Sequence, residues 1–417
     1  MKIIYLHQYF NTPETAGGTR SYEFAKRLVK MGHEVMMITS YRQHHQNNLW
    51  FQTEDSGIKI HWLPLKYSNH TGFFQRVRVF LLFAWKSYLR AKKIDGDIIY
   101  ASSTPLTIAI PALFISKKKK IPMVFEVRDL WPDVPIAMKI LKNSLMIFFS
   151  KFLELLAYKN SSAIVALSPE MKKGIISKKI DTNKVAIIPN SSDLEKFEYN
   201  EKLAIDFRLK RPWLKNRPLL VYAGTFGKVN DLSYAVRLAK ALIKQNTEIR
   251  ILLIGDGFEK QKLIAEAKKC DVYEKNLFFE NPLPKKNMPG CLSAANMTAN
   301  FVVDIRENWA NSANKFFDGL AAGKPIFLNH GGWMEDLVLD YDCGLCMHGK
   351  EIEVVAKELD LKINNNDWLK SSGDAALNLA KSLFDRKMHA LQLERILHLT
   401  INNKSQMVNE ITRDYYK

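Results

Sequence analysis

The chain has 417 residues, more than one ordinary domain contains, so two domains are expected. Hydrophobic residues make up 47% of the sequence, which excludes a disordered protein, and no apolar run reaches the roughly 20 residues that a membrane-spanning helix needs. The formal net charge of +18 is concentrated in residues 1–195, where 28 Lys and Arg face 15 Asp and Glu, so an anionic partner is expected for that half.

The first half of the chain alternates strand-like and helix-like segments. Buried strands are predicted at residues 2–10, 34–39, 58–63, 97–101, 122–127 and 163–167. This alternation is typical of a parallel sheet covered by helices on both faces. A strand-like run begins directly after Met1, so no signal peptide is expected, and four scattered cysteines indicate a reducing cytoplasm.

Gly17 and Gly18 lie in the turn between the first predicted strand and helix. Such a turn lets backbone amides approach a diphosphate, although the three spaced glycines of the full dinucleotide fingerprint are not present. The alternative is an ordinary tight turn from strand to helix.

Two predicted helices, at residues 73–90 and 137–157, are rich in aromatic and aliphatic residues with Arg and Lys interleaved. Each has more apolar surface than a helix needs to dock on a sheet. This pattern predicts contact with an anionic membrane surface, to which the cluster of lysines at 117–120 would add. The alternative is that both helices have wide core-facing sides.

A second doubly wound unit is predicted after a charged segment, residues 194–217, in which the chain crosses between domains. Strands are expected at 219–224, 250–254, 276–280 and 298–304, with glycine-containing turns at 224–228 and 255–257. The predicted organisation is an N-terminal domain at 1–195, a C-terminal domain at 196–400, and a helix within 401–417 that crosses back. The carboxyl ends of the two sheets are expected to share a cleft.

The segment 311–325 predicts a helix that begins at an anion-binding tip. Asn311 or Ser312 is expected to cap it, while Asn314, Lys315 and Asp318 share one side by their spacing. Unpaired amides at a helix N-terminus attract a phosphate. The alternative is a capped helix that only packs on a sheet.

These motifs together resemble family 4 of the retaining glycosyltransferases, over nearly the whole chain. The resemblance rests on residues 7–10, 17–28, 32–35, 125–132, 166–169, 188–193, 222–228, 254–257, 314–325 and 329–333. Two departures stand out: Asp318 takes the place of the second motif glutamate, and Ala310 that of the first. The combination is most similar to bacterial enzymes of O-antigen and capsule synthesis, and it implies the GT-B fold, an α/β architecture of two doubly wound Rossmann-like domains facing across a cleft.

The resemblance also implies roles for individual residues. The implied donor-binding residues are Gly17, Gly18, Arg20, Gly224, Thr225, Lys228, Gly255, Gly257, Asn311, Ser312, Asn314, Lys315 and Asp318. Asp318 is expected to accept hydrogen bonds from ribose hydroxyls, and Lys228 to supply charge where Thr225 replaces the usual arginine. Glu307 is a candidate to replace the glutamate missing at Ala310.

Glu126, Arg128 and Asp129 form the predicted catalytic group, because they end a strand that is expected to face the cleft. One carboxylate would orient the acceptor hydroxyl and Arg128 would position acid groups. The alternative is a buried charge network that supports the turn at Trp131. His7 is interpreted as a strand-end histidine with satisfied hydrogen bonds.

The function implied by the resemblance is retaining transfer of a sugar, often N-acetylated, from a UDP-sugar to a lipid-diphosphate-linked acceptor. Front-face substitution needs no protein nucleophile, so the site is expected to act electrostatically, with no metal and no cofactor beyond the UDP-sugar co-substrate. A cytoplasmic protein on the inner face of the membrane is expected. The alternatives are a UDP-N-acetylglucosamine 2-epimerase of the same fold and, prompted by the charge, a nucleic-acid-binding protein.

Overall fold

The computed structural model of the protein describes residues 1–43, 45, 49–65 and 72–412, without the side chain of Phe73. Within these residues, fourteen strands form two sheets. The strands are β1 Lys2–Leu6, β2 Glu34–Tyr41, β3 Phe51–Asp55, β4 Ile58–Pro64, β5 Ile98–Ser102, β6 Met123–Val127, β7 Ala163–Ala166, β8 Val185–Ile187, β9 Leu219–Ala223, β10 Arg250–Ile254, β11 Leu277–Glu280, β12 Met297–Asn300, β13 Ile326–Leu328 and β14 Gly344–Cys346.

Helices connect these strands and cover both sheets. They are α1 Arg20–Lys30, α2 Phe73–Ala91, α3 Ala109–Lys119, α4 Asp133–Ala137, α5 Ser144–Asn160, α6 Pro169–Ile176, α7 Leu194–Phe197, α8 Glu201–Leu209, α9 Ser233–Lys244, α10 Lys260–Lys269, α11 Met288–Ala294, α12 Asn314–Ala321, α13 Trp333–Asp340, α14 Ile352–Ile363, α15 Asn366–Leu383 and α16 Arg386–Ile401. None of the described helices is long and apolar enough to cross a bilayer.

The first sheet has the order β3-β4-β2-β1-β5-β6-β7-β8 and the second the order β11-β10-β9-β12-β13-β14. The two doubly wound units predicted from the sequence are therefore confirmed. Their strands run parallel, with one exception: β3, which the sequence pattern did not reveal, pairs antiparallel with β4 at the edge of the first sheet. Its side chains are largely exposed, so no apolar period marked it as a strand.

Both faces of each sheet are covered, which explains the continuous apolar runs of the central strands. In β1, Ile3 and Tyr5 pack in one core, while Ile4 and Leu6 pack in the core on the opposite face. Because the strands are parallel, the carboxyl ends of the strands in each sheet all point to the same side. The loops that follow β1, β5, β6, β9, β10 and β12 therefore lie on the sides of the two sheets that face each other.

The chain passes between the domains twice. It leaves the first sheet after β8, and α7 and α8 already pack against α11 of the second domain. It returns through α16, whose Ala390, Leu393 and Ile396 lie in a core of the first domain with Ile3 and Tyr5. The return therefore begins at Arg386 rather than at residue 401, because the apolar side of α16 covers the first sheet. A 3-10 helix, Ser405–Ile411, follows, and residues 413–417 of the predicted last helix lie outside the described residues.

Candidate active site

A cleft of about 620 Å³ lies between the two domains, at the carboxyl ends of both sheets. The first domain lines it with residues that follow β1, β5 and β6. The second domain lines it with residues that follow β9 and β10 and with the start of α12. Of the predicted site residues, the structure brings together Gly17, Gly18, Arg128, Asp129, Gly224, Thr225, Gly255, Ser312, Asn314, Lys315 and Asp318.

Gly18 faces the second domain across the cleft. A Cβ atom at this position would lie 2.7 Å from the side-chain nitrogen of Asn314, so a larger residue here would require that side chain to move. Gly17 has a φ of +122° and lies against Asn11, which donates from Nδ2 to the Gly18 carbonyl oxygen at 3.3 Å. The turn between β1 and α1 therefore presents backbone, rather than side chains, to the cleft.

On the opposite wall, the turn after β9 is shaped by the turn after β10. A Cβ atom on Gly255 would lie 1.9 Å from the Gly224 carbonyl oxygen, and one on Gly257 would lie 2.5 Å from that of Phe226. The Tyr222 hydroxyl fixes the same turn by donating to the Thr225 carbonyl oxygen at 3.0 Å. Gly257 thus supports the turn without lining the cleft.

The structure does not place Lys228 in the cleft. Its side chain lines a separate cavity of about 250 Å³ with Asp231, Glu259 and Lys262. The chain turns away after Gly227 and enters the 3-10 helix Lys228–Asn230, which carries the lysine to the other side of the turn. The prediction that Lys228 compensates for the arginine missing at Thr225 is therefore not supported by this geometry.

The predicted cap of α12 is wrong, because Ala313 occupies the cap position and makes no side-chain hydrogen bond. The Ser312 hydroxyl instead accepts from the backbone amide of Asn190 at 3.1 Å, which ties it to the first crossing between the domains. Asn311 donates to the Asn308 carbonyl oxygen at 2.7 Å and does not line the cleft. The first amides of α12 are consequently left without a side-chain acceptor, at the point where the helix meets the cleft.

Lys315, in the first turn of α12, brings a cation to this tip. Its ammonium nitrogen lies 4.8 Å from the centre of the Tyr222 ring. Burial lowers the pKa of Lys315 to about 8, because the charged form is poorly solvated there. A desolvated cation beside free helix amides is suited to an anion that replaces the lost water.

Asp318, one turn further along α12, lines the cleft but is already paired. Its carboxylate accepts from the Ser192 hydroxyl at 2.7 Å and forms an ion pair with Lys285. Lys285 follows β11, lies 33 positions before its partner, and was not predicted as a site residue. The pair Pro284-Lys285 ahead of a short helix gave no signal of this contact.

Ala310 and Glu307 do not supply the missing carboxylate. Ala310 is buried, and its carbonyl oxygen accepts from the Ser168 hydroxyl at 2.7 Å, which joins the domains. Glu307 is exposed on the 3-10 helix Arg306–Asn308 and does not line the cleft. The prediction that Glu307 substitutes for the first motif glutamate is therefore wrong.

The prediction that Glu126 faces the cleft is also wrong. Glu126 is fully buried and accepts hydrogen bonds from Arg20 Nε at 2.9 Å, the Tyr100 hydroxyl at 2.5 Å and the Ser102 hydroxyl at 2.7 Å. Burial raises the pKa of Glu126, but Arg20 and Arg128 outweigh it and lower the value to about 2. Glu126 is thus a permanently charged internal group.

Arg20 shares this interior. It is buried and donates, besides to Glu126, to the carbonyl oxygens of Pro189 at 2.5 Å and Ile188 at 2.8 Å. All of its hydrogen bonds link α1 to the end of β8 and to β6. The predicted contact of Arg20 with the donor is therefore wrong, because its hydrogen bonds give it a structural role in the interior of the first domain.

Arg128 and Asp129, which follow β6, do line the cleft. The Asp129 carboxylate reaches the cleft and accepts from the Thr104 hydroxyl at 3.1 Å. Desolvation by the walls of the cleft raises the pKa of Asp129, and this effect outweighs Arg128 and Thr104, which lower it. Arg128 Nη1 lies 3.2 Å from His7 Nε2. Burial and Arg128 keep the pKa of His7 well below its usual value, so His7 is neutral. It lines the cleft with its Nδ1 lacking a hydrogen-bond partner among the described residues, so it is not the fully satisfied histidine predicted.

Comparison with known families divides the chain as the two sheets do. Residues 17–196 match the model of Glycosyltransferase Family 4, and residues 205–378 match that of Glycosyl transferases group 1. A curated relative, an uncharacterised glycosyltransferase of Methanocaldococcus jannaschii, is 21% identical over 332 residues, which cover 78% of this chain and 80% of the relative.

Solved structures show the same architecture. The complex of Anabaena HepE with UDP-glucose has a TM-score of 0.70 and 16% identity, covering 95% of this chain and 99% of that one. The sucrose-phosphate synthase of Thermosynechococcus elongatus has a TM-score of 0.72 and 14% identity, covering 96% of this chain and 99% of that one. At these identities the likeness shows the fold alone, which is GT-B as predicted.

Proposed function

The chain is a glycosyltransferase of the GT-B type, and from this premise we propose that it transfers a sugar from a UDP-sugar to a lipid-diphosphate-linked acceptor at a membrane surface. The observation that carries the donor half of the proposal is the tip of α12. There Lys315 and the uncapped amides meet the cleft, and glycine turns of both domains leave their backbone open to the same space.

The donor would lie against the second domain. In this proposal the diphosphate contacts Lys315 and the first amides of α12, and the ribose contacts Asp318, as the resemblance implied. The ion pair with Lys285 leaves lone pairs on the Asp318 oxygens, and it fixes their direction. The solved complex of Anabaena HepE holds UDP-glucose in a protein of this fold, which supports UDP as the nucleotide.

The reaction in this proposal relies on electrostatic stabilisation. As the bond from sugar to phosphate breaks, negative charge grows on the diphosphate, where Lys315 and the helix amides already point. The leaving phosphate takes the acceptor proton on the same face of the sugar, so the anomeric configuration is retained. Asp129 and Arg128 lie on the opposite wall, where they would orient the acceptor.

Metal independence is part of the proposal. The carboxylates that line the cleft in the described residues are Asp129, Asp256 and Asp318, and they do not converge as a set of metal ligands. Cations of the protein would therefore balance the diphosphate. Undiminished transfer in excess EDTA is the expected result.

The acceptor half of the proposal rests on an apolar face of the first domain. We define this apolar face by side chains of α2, α3 and α5 that are each more than half exposed: Phe74, Trp85, Phe114, Leu145, Phe148, Phe149 and Phe152. Helix α3 packs between α2 and α5, so the three helices form one surface. Exposed apolar area of this kind is rare on monomers and marks an interaction site.

Basic residues accompany this face. Lys117, Lys118 and Lys119 end α3, and Lys151 lies on α5 among the exposed phenylalanines. Basic residues beside aromatic ones suit an anionic lipid surface. Thr104 and Asp129, which line the cleft, precede α3 and α5 along the chain, and in this proposal a lipid-anchored acceptor enters the cleft from the side of these helices. A role in O-antigen or capsule synthesis would use such an acceptor.

Thermal unfolding in the presence of individual UDP-sugars tests the donor assignment. Only a true donor should raise the unfolding temperature at low concentration, because protection grows with the ratio of ligand to Kd. A screen in which neither a UDP-sugar nor UDP protects the protein would contradict the assignment of the cleft. Products then separate the alternatives, since an epimerase would convert the UDP-sugar in the absence of any acceptor.

A further inference from the structure

A cluster of metal-ligand side chains lies outside the cleft, where α16 crosses back onto the first domain. It consists of His33, in the turn between α1 and β2, and of Glu394 and His398 on α16. In the described part of the chain, this is the one group of three such residues whose potential ligand atoms lie within 4.8 Å of one another.

The spacing of these atoms fits one small cation. Glu394 Oε1 lies 3.1 Å from His33 Nε2 and 3.5 Å from His398 Nε2. Around a tetrahedral ion with bonds of about 2.0–2.1 Å, ligand atoms are separated by about 3.3–3.4 Å. The side chains therefore need only small adjustments to share an ion.

The elements that carry the ligands are fixed independently of any ion. Glu394 and His398 are four positions apart on one helix, which places them on the same side. Their neighbours Leu393, Ile396 and Leu397 are buried in the core against the first sheet. His33 is also nearly buried, and its Nδ1 lies 3.4 Å from the Met1 amino nitrogen, so Nε2 is the nitrogen that faces the cluster.

We propose that His33, Glu394 and His398 bind Zn²⁺ or a similar divalent transition metal and clamp the returning helix to the first domain. Two imidazoles and one carboxylate match the preferences of such ions rather than those of Mg²⁺ or Ca²⁺. The half-exposed His398 leaves the fourth position open to water.

The site is separate from the proposed reaction. His33 directly precedes β2, and β2 begins beside the start of β1, so the cluster lies at the amino ends of the parallel strands. The cleft lies at their carboxyl ends. A metal here would therefore stabilise the junction of the domains without touching substrate, and the inference does not depend on the proposed function.

His348 also has two carboxylate neighbours, but their positions do not suit a shared metal ion. His348 lies 3.0 Å from Asp304 through Nε2 and 3.3 Å from Glu335 through Nδ1. Its carboxylates thus lie on opposite sides of the ring and cannot share an ion through one nitrogen. His348 is therefore a matched control.

The test uses the full chain without a histidine tag, stripped of metal by a chelator, and measures Zn²⁺ binding by calorimetry. We expect one Zn²⁺ per chain, a melting temperature several degrees higher with the metal, and roughly tenfold or greater loss of affinity in both His398→Ala and Glu394→Gln. His348→Ala should bind as the unchanged protein does.

Co²⁺ provides a second readout that does not rely on stability, because tetrahedral coordination gives intense visible absorption. Far-UV circular dichroism confirms that each variant is folded, which is expected because Glu394 and His398 are both partly exposed. Failure of the unchanged protein to bind Zn²⁺, or equal binding by the His398→Ala variant, would overturn the proposal and would leave only an ion-pair cluster.

Discussion

The two walls of the cleft use their charged residues differently. In the first domain, Arg20 and Glu126 pair with each other in the interior and never reach the cleft. In the second domain, Lys315 reaches the cleft while having no carboxylate partner among the described contacts, and burial lowers its pKa. The buried pair of the first domain is therefore a rigid support behind the cleft-lining Arg128 and Asp129, whereas the second wall has a cation available for a ligand. Whether a charged motif residue can bind a ligand therefore depends on whether the fold already pairs it with another charged residue of the protein.

The first prediction concerns stability and tests whether the buried pair of Arg20 and Glu126 supports the first domain. Replacing Arg20 by Met leaves Glu126 buried without its cation, which should lower the free energy of unfolding by about 3–5 kcal/mol. Urea denaturation followed by circular dichroism measures it. The control is Lys59→Met, which breaks an exposed pair with Glu34 and should cost at most about 1 kcal/mol. Equal effects would mean that the interior pair is not a support.

The second prediction tests the available cation. Lys315→Met should lower kcat/KM by about 10²–10³, as removal of a positioned group that stabilises growing negative charge does. Lys324 is the matched control, because burial and, to a lesser extent, Arg208 lower its pKa to about 8 as well. Its ammonium nitrogen lies 5.1 Å from the centre of the Tyr199 ring, outside the cleft. If Lys324→Met loses as much activity as Lys315→Met, burial rather than donor contact explains the effect.

Asp318→Ala should weaken UDP-sugar binding by about 10- to 100-fold, the range for one lost hydrogen bond to a charged group plus the loss of support for Lys285. Equilibrium binding measures this. Lys285→Met separates the two contributions, because it keeps the carboxylate and removes its partner. Unchanged binding and turnover in Asp318→Ala would remove this turn of α12 from the site.

A fourth prediction concerns the apolar face. Exchanging Phe148 and Phe149 for Ser should reduce partition into anionic vesicles by about tenfold, since less apolar area leaves water. The control is Phe258→Ser, because Phe258 is as exposed as Phe148 but belongs to the second domain. Equal partition of all variants would show that membranes do not bind this face.

The smallest expected effect is a pH dependence. Since the pKa of Lys315 is lowered to about 8, the lysine is charged below that value and loses its proton as the pH rises through it. Affinity for a UDP-sugar should therefore be constant from pH 6.5 to 7.5 and fall by up to about tenfold per unit above pH 8. In Lys315→Met the profile should be flat. A profile that is the same in both proteins would assign the titration to another group.

Much of this architecture could be predicted from the sequence. Alternating apolar runs revealed both sheets, and the glycine turns marked the loops that line the cleft. Contacts between distant segments could not be predicted: Lys285 meets Asp318 only because the fold brings the loop after β11 to the start of α12. The cleft-facing position predicted for Glu126 is wrong because this residue lies within β6, fully buried, rather than beyond the end of the strand. Its position within the strand directs it to Ser102 of β5, whereas Asp129 lies beyond the strand and is free to face the cleft.

The proposed reaction is tested by the fate of a labelled sugar, supplied as a UDP-sugar with vesicles that contain a lipid-diphosphate-linked acceptor and with excess EDTA. We expect label in the lipid product, with the anomeric configuration of the donor retained, and loss of that product in Lys315→Met but not in Lys324→Met. Label that remains water-soluble, as free sugar or as an epimerised UDP-sugar, would contradict it.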